Sequence, residues 1–347
     1  MARDSALGVS VAIIAAVVVS AAAYQASSVF APLALALFII AIVWPLQSWL
    51  QARMPGLIAL AITMMVTVAV CLFFASLVVW GFGRVGHSMF ADSARYQALY
   101  DNAIAWLEDR GISVAGIWSE HFNVGWLVRW ASQVTGRVNT TLTFWLIALV
   151  YVILGLMEVE DLRRRIESYF SRETATILLA ATAATARKTR KYMEVRTLMS
   201  LATGALVFVF AWATGLQFAL EWGVIAFALN YIPFIGPFIA TLFPTLLAMA
   251  QFATWQAVVG VFVCLNIIQF VVGSYIEPRV SGAVLAMSPS AVLFAVFFWT
   301  FLWGLFGTFI GVPIALAILT FCSYYPSSRW ISDLLGGPVE GKPAAGR

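Results

Sequence analysis

Between Thr197 and Ser328 the chain carries only three charged side chains, namely Glu221, Glu277 and Arg279. These 132 residues are almost unbroken apolar sequence, more than the core of a water-soluble domain could bury. A membrane-embedded chain explains the stretch, because lipid then covers the apolar side chains that face outward. Charges are costly in hydrocarbon, so these three residues are the first candidates for function.

The composition of the whole chain supports the same fold class. Of the 347 residues, 62% are hydrophobic and 10% are charged, whereas ordinary globular domains are about 25% charged. Several apolar runs approach or exceed the ~20 residues that span a bilayer. We therefore predict an all-α, polytopic integral membrane protein with about eight spanning or re-entrant helical segments. Residues 7–26 are expected to stay as a first helix, although the run resembles a signal peptide.

Apolar and polar segments alternate along the chain and predict its organisation. We expect three spans in 1–83, an amphipathic helical insert in 84–139, a fourth span in 140–157, a basic helical linker in 158–196, a membrane core interrupted by Pro and Gly in 197–325, and a tail in 326–347. Ser171 is the expected N-cap of a helix in the linker that continues to Tyr192.

The linker also predicts the topology. It holds nine basic residues against six acidic ones, and the positive-inside rule places such a block in the cytoplasm. Counting spans from there puts the insert outside the cytoplasm and both chain termini inside it.

Two apolar segments in the last third are interrupted by Pro and Gly, at Asn230–Pro237 and at Gly304–Pro313. Proline removes a helix hydrogen bond and clashes with the preceding turn. In lipid, such a break survives only where protein or a water-lined cavity satisfies the freed backbone. Paired broken segments are typical of transporter binding regions, and simple kinked or hairpin helices are the alternative.

The charges in the apolar third have two interpretations each. Glu221 is either an interfacial carboxylate exposed to water or a group that handles a proton or cation. Glu277 and Arg279 flank Pro278 and either pair with each other or meet other partners in a gate.

A face of small and hydroxylated residues follows the basic linker. It consists of Tyr192, Arg196, Thr197, Ser200, Thr203 and Gly204. Such residues commonly join membrane helices, and lining a polar path is the alternative.

Other motifs argue against enzymatic, metal-binding and nucleic-acid functions. The three cysteines form no CxxC pair, and His87 and His121 have no partner at ligand spacing. The GxGxxG match at 81–86 follows a membrane span rather than a strand, and no Walker A motif occurs. The net charge of +4 is spread along the chain, which favours membrane topology over nucleic-acid binding. We expect no enzyme activity, no cofactor and no metal.

The last two-fifths of the chain resembles the autoinducer-2 exporter family of bacterial and archaeal permeases. The residues that carry the resemblance are Tyr192, the 197–204 face, Trp222-Gly223, Asn230–Pro237, Ile276–Gly282, Leu285–Pro289 and Gly304–Pro313. The first half of the chain fits the family in layout alone. Phe234 departs from the tyrosine common in the family, so no hydrogen-bonding role is expected there.

The resemblance implies a secondary transporter in the bacterial inner membrane that forms a homo-oligomer, with a pentamer as one expectation. Family members are described as exporters of autoinducer-2 or as sodium/proton antiporters. Both activities stay open, and a non-transporting membrane scaffold is an alternative of another class.

We predict alternating access around the two broken segments. The irregular backbone is assigned to Pro233, Gly236, Pro237, Gly311 and Pro313, with side-chain polarity from Asn230 and Tyr231. The gate is assigned to Glu277, Pro278 and Arg279, in which Glu277 and Arg279 supply the charges, and the candidate coupling carboxylates are Glu221 and Glu277. The expected partners are the lipid bilayer and a small solute, monovalent cation or proton.

Overall fold

A computed structural model describes residues 2–91, 138–252, 254–281 and 287–336 of the chain. These residues are helical almost throughout, and within them the one β-type pairing is an isolated antiparallel bridge between Met287 and Gly336. The all-α prediction is confirmed. Most of the predicted insert at 84–139, including His121, lies outside the described residues, and so does the tail beyond residue 336.

The helices, in chain order, are α1 (Ala2–Gln25), α2 (Ser27–Gln51), α3 (Gly56–Ala91), α4 (Val138–Tyr169), α5 (Arg172–Ala213), α6 (Ala219–Leu229), α7 (Ile235–Gln251), α8 (Trp255–Phe270), a π-helical segment (Val271–Ile276), α9 (Glu277–Ser281), α10 (Pro289–Tyr324) and α11 (Arg329–Leu335).

Six of the described helices are long and apolar enough to cross a membrane. They are α2, α3, α4, α5, the continuous run Trp255–Ser281, and α10. The apolar helices α6 and α7 are shorter, at 11 and 17 residues. At a rise of 1.5 Å per residue they measure about 17 and 26 Å, below the ~30 Å of the hydrocarbon core. The predicted polytopic all-α class is confirmed, but α1, which is predicted from the sequence as the first span, is not among these six helices.

The outward side chains of the long helices are apolar, as a lipid-facing surface requires. Leu57 is 74% exposed and Val79 is 72% exposed on α3, and Phe301 is 74% exposed on α10. In water such a surface would drive aggregation. The chain is therefore a multi-pass membrane protein in contact with the bilayer.

The chain folds as two compact units. The first consists of Met1–Thr67, Phe144–Glu194 and Ser281–Arg347, and the second of Val68–Thr143 and Val195–Val280. In the first unit α2 packs against α4 and α10 through buried Leu35, Val152 and Ile310. In the second unit a core that includes Trp222, Ile225 and Leu265 lies among α5, α6, α7 and α8. The division of the chain into six segments, predicted above from the sequence, does not coincide with these two units and stays a prediction.

Helix α5 is 42 residues long and contains both the end of the basic linker and the apolar run after it. It begins where the sequence predicts, because the Ser171 hydroxyl accepts a hydrogen bond of 3.3 Å from the Thr174 amide. No helix break separates the linker from the next apolar run, so Arg196, Thr197 and Ser200 lie on one rigid rod.

Helix α10 is a pair of helices joined at a sharp break. Trp303 (φ −131°) and Gly304 (φ 60°, ψ −139°) leave helical geometry, and Gly304 adopts a left-handed conformation that favours glycine. The threonine hydroxyls of Thr300 and Thr308 then join the two halves at 2.7 Å. This finding corrects the assignment of irregular backbone to Gly311 and Pro313, which lie in helical segments beyond the break.

Two glycines let the halves of α10 approach closely. A Cβ atom at Gly307 would collide with the backbone carbonyl of Trp299, and one at Gly311 would lie 3.0 Å from the carbonyl oxygen of Ala295. The GxxxG pair at 307 and 311 therefore marks helix packing within one hairpin.

We expect Gly307→Ala to lower the thermal unfolding midpoint of the purified protein in detergent. The new methyl group meets backbone, which cannot rotate away, and overpacking of this kind costs about 1–3 kcal/mol. Tryptophan fluorescence during a temperature ramp measures the midpoint.

Gly260→Ala is the matched control, because a Cβ atom at Gly260 on α8 would meet nothing within 4 Å. Alanine also favours helix over glycine by up to about 1 kcal/mol, so this variant should unfold at or above the wild-type midpoint. Equal midpoints for the two variants would contradict the tight packing at Gly307.

Candidate functional site

The first Pro/Gly interruption forms a tight reversal between α6 and α7 in the second unit. Helix α6 ends at Leu229, and α7 begins at Ile235 after Phe234, which has φ 63°. Pro237 is tolerated because it lies in the first turn of α7, where amides have no intrahelical acceptor. A Cβ atom at Gly236 would collide with the Leu229 carbonyl, so the returning chain passes against the end of α6.

Two polar side chains at this reversal bind helix α5. The amide nitrogen Nδ2 of Asn230 donates to Oγ of Ser200 at 3.2 Å, and the Tyr231 hydroxyl donates to Oγ1 of Thr197 at 3.0 Å. Asn230 and Tyr231 are 7% and 5% exposed. The hydroxyl face of α5 therefore does join helices, as membrane helices commonly do through such residues.

Close packing of α5 on α6 makes these hydrogen bonds possible. A Cβ atom at Gly204 would lie 2.7 Å from the carbonyl oxygen of Gly223, and one at Gly223 would lie 2.9 Å from that of Gly204. Small residues at this crossing let the two backbones touch. The short side chains of Ser200 and Asn230 can then meet.

Glu277 forms an ion pair with Arg196 of α5. The guanidinium nitrogen Nη1 of Arg196 lies 2.9 Å from both carboxylate oxygens of Glu277. The Arg196 side chain is 9% exposed and that of Glu277 is 24% exposed. A buried pair of this kind is worth little if removed whole, but losing one partner leaves a costly charge.

This pairing differs from the local one considered from the sequence. Arg279 turns away from Glu277 and places its guanidinium carbon 3.5 Å from the ring centroid of Tyr275. The sequence did contain a signal for the Arg196–Glu277 pair. An arginine at the start of an apolar span needs an acidic partner, and the apolar third offers only Glu221 and Glu277.

We call these residues together the polar seam. Its members are Arg196, Thr197, Ser200 and Thr203 of α5 with Asn230, Tyr231 and Glu277. Thr203 is fully buried, and its hydroxyl has no hydrogen-bond partner among the described residues. The seam brings together most of the buried polar side chains that the structure describes in the second unit.

Glu221 is buried rather than exposed to water. It is 5% exposed and lies in the first turn of α6, where the helix dipole favours a negative charge. Its carboxylate oxygen lies 3.2 Å from Nε of Arg84, whose side chain is 61% exposed. The interpretation of Glu221 as a water-exposed interfacial group is therefore wrong.

A cavity of about 260 Å³ lies between α7 and α8. It is lined by Pro237, Phe238, Thr241, Leu242, Phe262, Asn266 and Gln269. The buried Nε2 of Gln269 has no hydrogen-bond partner within the described part of the chain. Of the residues assigned to the path from the sequence, Pro237 lines this cavity, whereas Asn230, Tyr231 and Glu277 lie in the polar seam.

The second break belongs to the first unit. Its Gly311 and Pro313 are buried in helical segments of α10. Among the described residues, no three His, Cys, Asp or Glu side chains are grouped as metal ligands. His87 and the GxGxxG match at 81–86 lie within helix α3, so the glycines form no phosphate-binding loop.

Comparison with known proteins places these features in a family. The model for AI-2E family transporters matches residues 13–327. The AI-2 transport protein TqsA of Escherichia coli is 27% identical over 304 residues, which are 84% of this chain and 85% of TqsA.

Two further relatives are named as transport proteins, and their names specify no substrate. One from Borreliella burgdorferi is 29% identical over 212 residues, which are 61% of this chain and 58% of that protein. The other, YhhT of Escherichia coli, is 30% identical over 169 residues, or 49% of this chain and 48% of YhhT. This chain therefore matches only about half to three-fifths of the length of these two relatives.

We expect Arg196→Gln and Glu277→Gln each to lower the free energy of unfolding by about 1–3 kcal/mol, because each leaves a charged partner without its hydrogen-bonded counterion. The double variant should lose less than the sum of the two. Thermal unfolding in detergent of all four proteins gives the coupling.

Arg279→Gln is the control, since Arg279 is an exposed charge two residues from Glu277. Its effect should add to that of Arg196→Gln without coupling. Additive losses for Arg196→Gln and Glu277→Gln would show that the pair does not form in the folded protein.

Proposed function

Because this chain belongs to the AI-2E family of transporters, we propose that it is a secondary transporter. In this proposal it moves a small polar solute or a coupling ion across the bacterial inner membrane. Autoinducer-2 is the first candidate solute, because the name of TqsA specifies AI-2 transport. The proposal includes cytoplasmic termini, a cytoplasmic basic linker and a homo-oligomeric assembly.

The observation that carries the proposal is the polar seam. A few hydroxyl groups would be enough to join the helices. The seam contains such hydroxyl groups and, in addition, a largely buried ion pair beside a broken helix. Burying charge in a membrane protein is costly and marks ion or substrate pathways. The short helices α6 and α7, which cannot cross the bilayer alone, supply freed backbone groups at the same place.

The seam is closed in this structure, so transport requires it to open. Asn230 and Tyr231 would exchange their hydrogen bonds with Ser200 and Thr197 for bonds to a solute. Pro233, Gly236 and Pro237 would hold the reversal in shape while this exchange takes place. Glu277 and Arg196 would separate as the charged part of the gate. The break in α10, with Gly311 and Pro313 beyond it, would move in the alternating-access cycle.

Sodium/proton antiport is the second candidate, and two observations favour it. Glu221 and Glu277 are carboxylates in an apolar segment, and each faces an arginine in the second unit. A carboxylate that exchanges an arginine for a proton or sodium ion is a common means of ion coupling in membranes.

A non-transporting scaffold would pack apolar side chains at Asn230, Tyr231 and Glu277. All three are engaged in polar contacts instead. The rings of Phe74 and Phe227 hold the Tyr231 ring edge-on, at centroid distances of 5.4 and 5.7 Å. The Tyr231 side chain is thus fixed by aromatic contacts while its hydroxyl makes a polar contact, which supports a transport role over a scaffold role.

Flux measurements on purified protein in liposomes test the proposal. A sodium or proton gradient is imposed, a pH-sensitive dye reports proton movement, and efflux of autoinducer-2 is measured in parallel. We expect Glu277→Gln to lower the flux at least about tenfold and to remove its pH dependence, because an amide neither takes up a proton nor pairs with a guanidinium.

Glu194→Gln is the matched control. Glu194 lies on the same helix as Arg196, but its side chain is 67% exposed and forms a surface pair with Lys191 at 3.5 Å. This variant should transport like wild type. Undiminished flux and pH dependence in Glu277→Gln would remove Glu277 from the mechanism, and absence of any flux in the wild-type protein would favour the scaffold.

A further inference from the structure

The helix that carries Glu277 is not α-helical throughout. Residues Val271–Ile276 form a π-helical segment between α8 and α9, and the amide of Glu277 donates to the carbonyl of Val272. That bond reaches back five residues instead of four. π-Helical turns are rare and often lie at functional sites, and this one lies directly before the acid that pairs with Arg196.

Pro278 gives a local reason for the wide turn. In an α-helix its ring would clash with the carbonyl of Ser274, four residues earlier, and proline has no amide hydrogen to donate. In the wider turn the Glu277 amide bonds to Val272 rather than to Gly273, and this winding moves the Ser274 carbonyl away from the proline ring. The sequence Glu-Pro therefore disfavours the α register at the point where the acid must be oriented.

The wide turn decides which side chain faces α5. A π turn holds one residue more than an α turn, and one residue corresponds to about 100° of rotation. Glu277 therefore occupies the angular position that Ile276 would occupy if the segment were α-helical. In the α register Ile276 would face Arg196, and Glu277 would point about 100° away from it.

The segment has room to change register. Gly273, Ser274 and Tyr275 are exposed, and a Cβ atom at Gly273 would meet nothing within 4 Å. Val272 is the one buried residue of the six. A change of register in this segment therefore disturbs few packed side chains, unlike one in α8, where Val261 and Leu265 belong to the core.

We propose that Val271–Ile276 is a register switch that makes and breaks the Arg196–Glu277 pair. Pro278 and the pair itself both hold the π register in the closed seam. Conversion of the turn to α-helix carries Glu277 away from Arg196 and frees both charged groups for a solute or ion. This inference rests on the proposed function for its purpose, while the orientation of Glu277 by the π turn is independent of transport.

The orientation is tested by the coupling between Arg196→Gln and Glu277→Gln in thermal unfolding, measured in three backgrounds. In Pro278→Ala the α register competes, so the coupling should fall by at least about half of its wild-type value. Deleting Gly273 removes the extra residue and leaves a straight α-helix with Glu277 still facing Arg196, so the coupling should persist. Combining the deletion with Pro278→Ala should not lower it.

Deletion of both Gly273 and Ser274 is the matched control, because the first deletion leaves a straight α-helix with no wide turn that could absorb the second. The second deletion rotates Glu277 by about 100° relative to the core residues Val261 and Leu265, so the Arg196–Glu277 coupling should be lost. Size-exclusion chromatography establishes that each variant is folded. Unchanged coupling in Pro278→Ala, or loss of coupling on deletion of Gly273, would overturn the proposed orientation, and an unfolded Gly273 deletion would also count against it.

The switching itself is tested by flux in liposomes under the sodium or proton gradient. The Gly273 deletion keeps the pair but has no second register, so its flux should fall at least about tenfold below wild type. Wild-type flux with intact coupling would overturn the switch. A failure of the proposed function would give a different pattern. The Glu277→Gln variant would then show wild-type flux, while the three coupling measurements would still give the expected results.

Discussion

Hydrocarbon offers no hydrogen-bond partner, and this constraint governs every polar group in the apolar third of the chain. The polar seam of the second unit meets it by pairing three side chains of α5 with three polar side chains of neighbouring segments. Asn230 donates to Ser200, Tyr231 donates to Thr197, and Glu277 accepts from Arg196. Each bond links α5 to a neighbouring segment, so the same contacts that satisfy polar groups also fix how the helices pack. In the proposed transport cycle, opening the seam requires a replacement partner, and a polar solute or an ion would provide it.

Glycine and proline contribute differently at the two helix breaks. Pro233 lies in the first break, whereas the second break lies at Trp303 and Gly304 and contains no proline. The glycines at 236 and 307 let the returning chain pass against a carbonyl of the preceding helix. The two hairpins therefore solve one problem in the same way, since both bring backbone closer than any side chain would allow. The residue that adopts a positive φ differs between the two hairpins: it is Phe234 in the first reversal and Gly304 in the second. The first reversal thus keeps a bulky aromatic side chain at its tip, and this side chain is 49% exposed.

The charged residues separate what a sequence can indicate from what it cannot. The small number of charges already marked Glu221, Glu277 and Arg279 as unusual. The two acids have partners that are far away along the chain, Arg84 for Glu221 and Arg196 for Glu277. Such pairs could not be predicted, because they depend on the packing of distant helices, which no local spacing encodes. Arg279 was the natural local partner for Glu277, yet side chains two residues apart on one helix do not face each other, and Arg279 lies over Tyr275 instead. The cavity beside Pro237 was equally hidden, since its amides at 266 and 269 sit among apolar residues with no motif around them.

Hydropathy, capping and proline act over a few neighbouring residues, so the sequence was sufficient to predict the fold class, the N-cap at Ser171 and the segment in which each helix break lies. The tertiary structure alone decided where the second break bends, that Glu221 is buried, and which arginine each acid faces. It also decided the register of Val271–Ile276, which rotates Glu277 toward α5. These features depend on contacts between helices distant in sequence, and on a one-residue difference in winding that hydrophobic periodicity is too coarse to resolve.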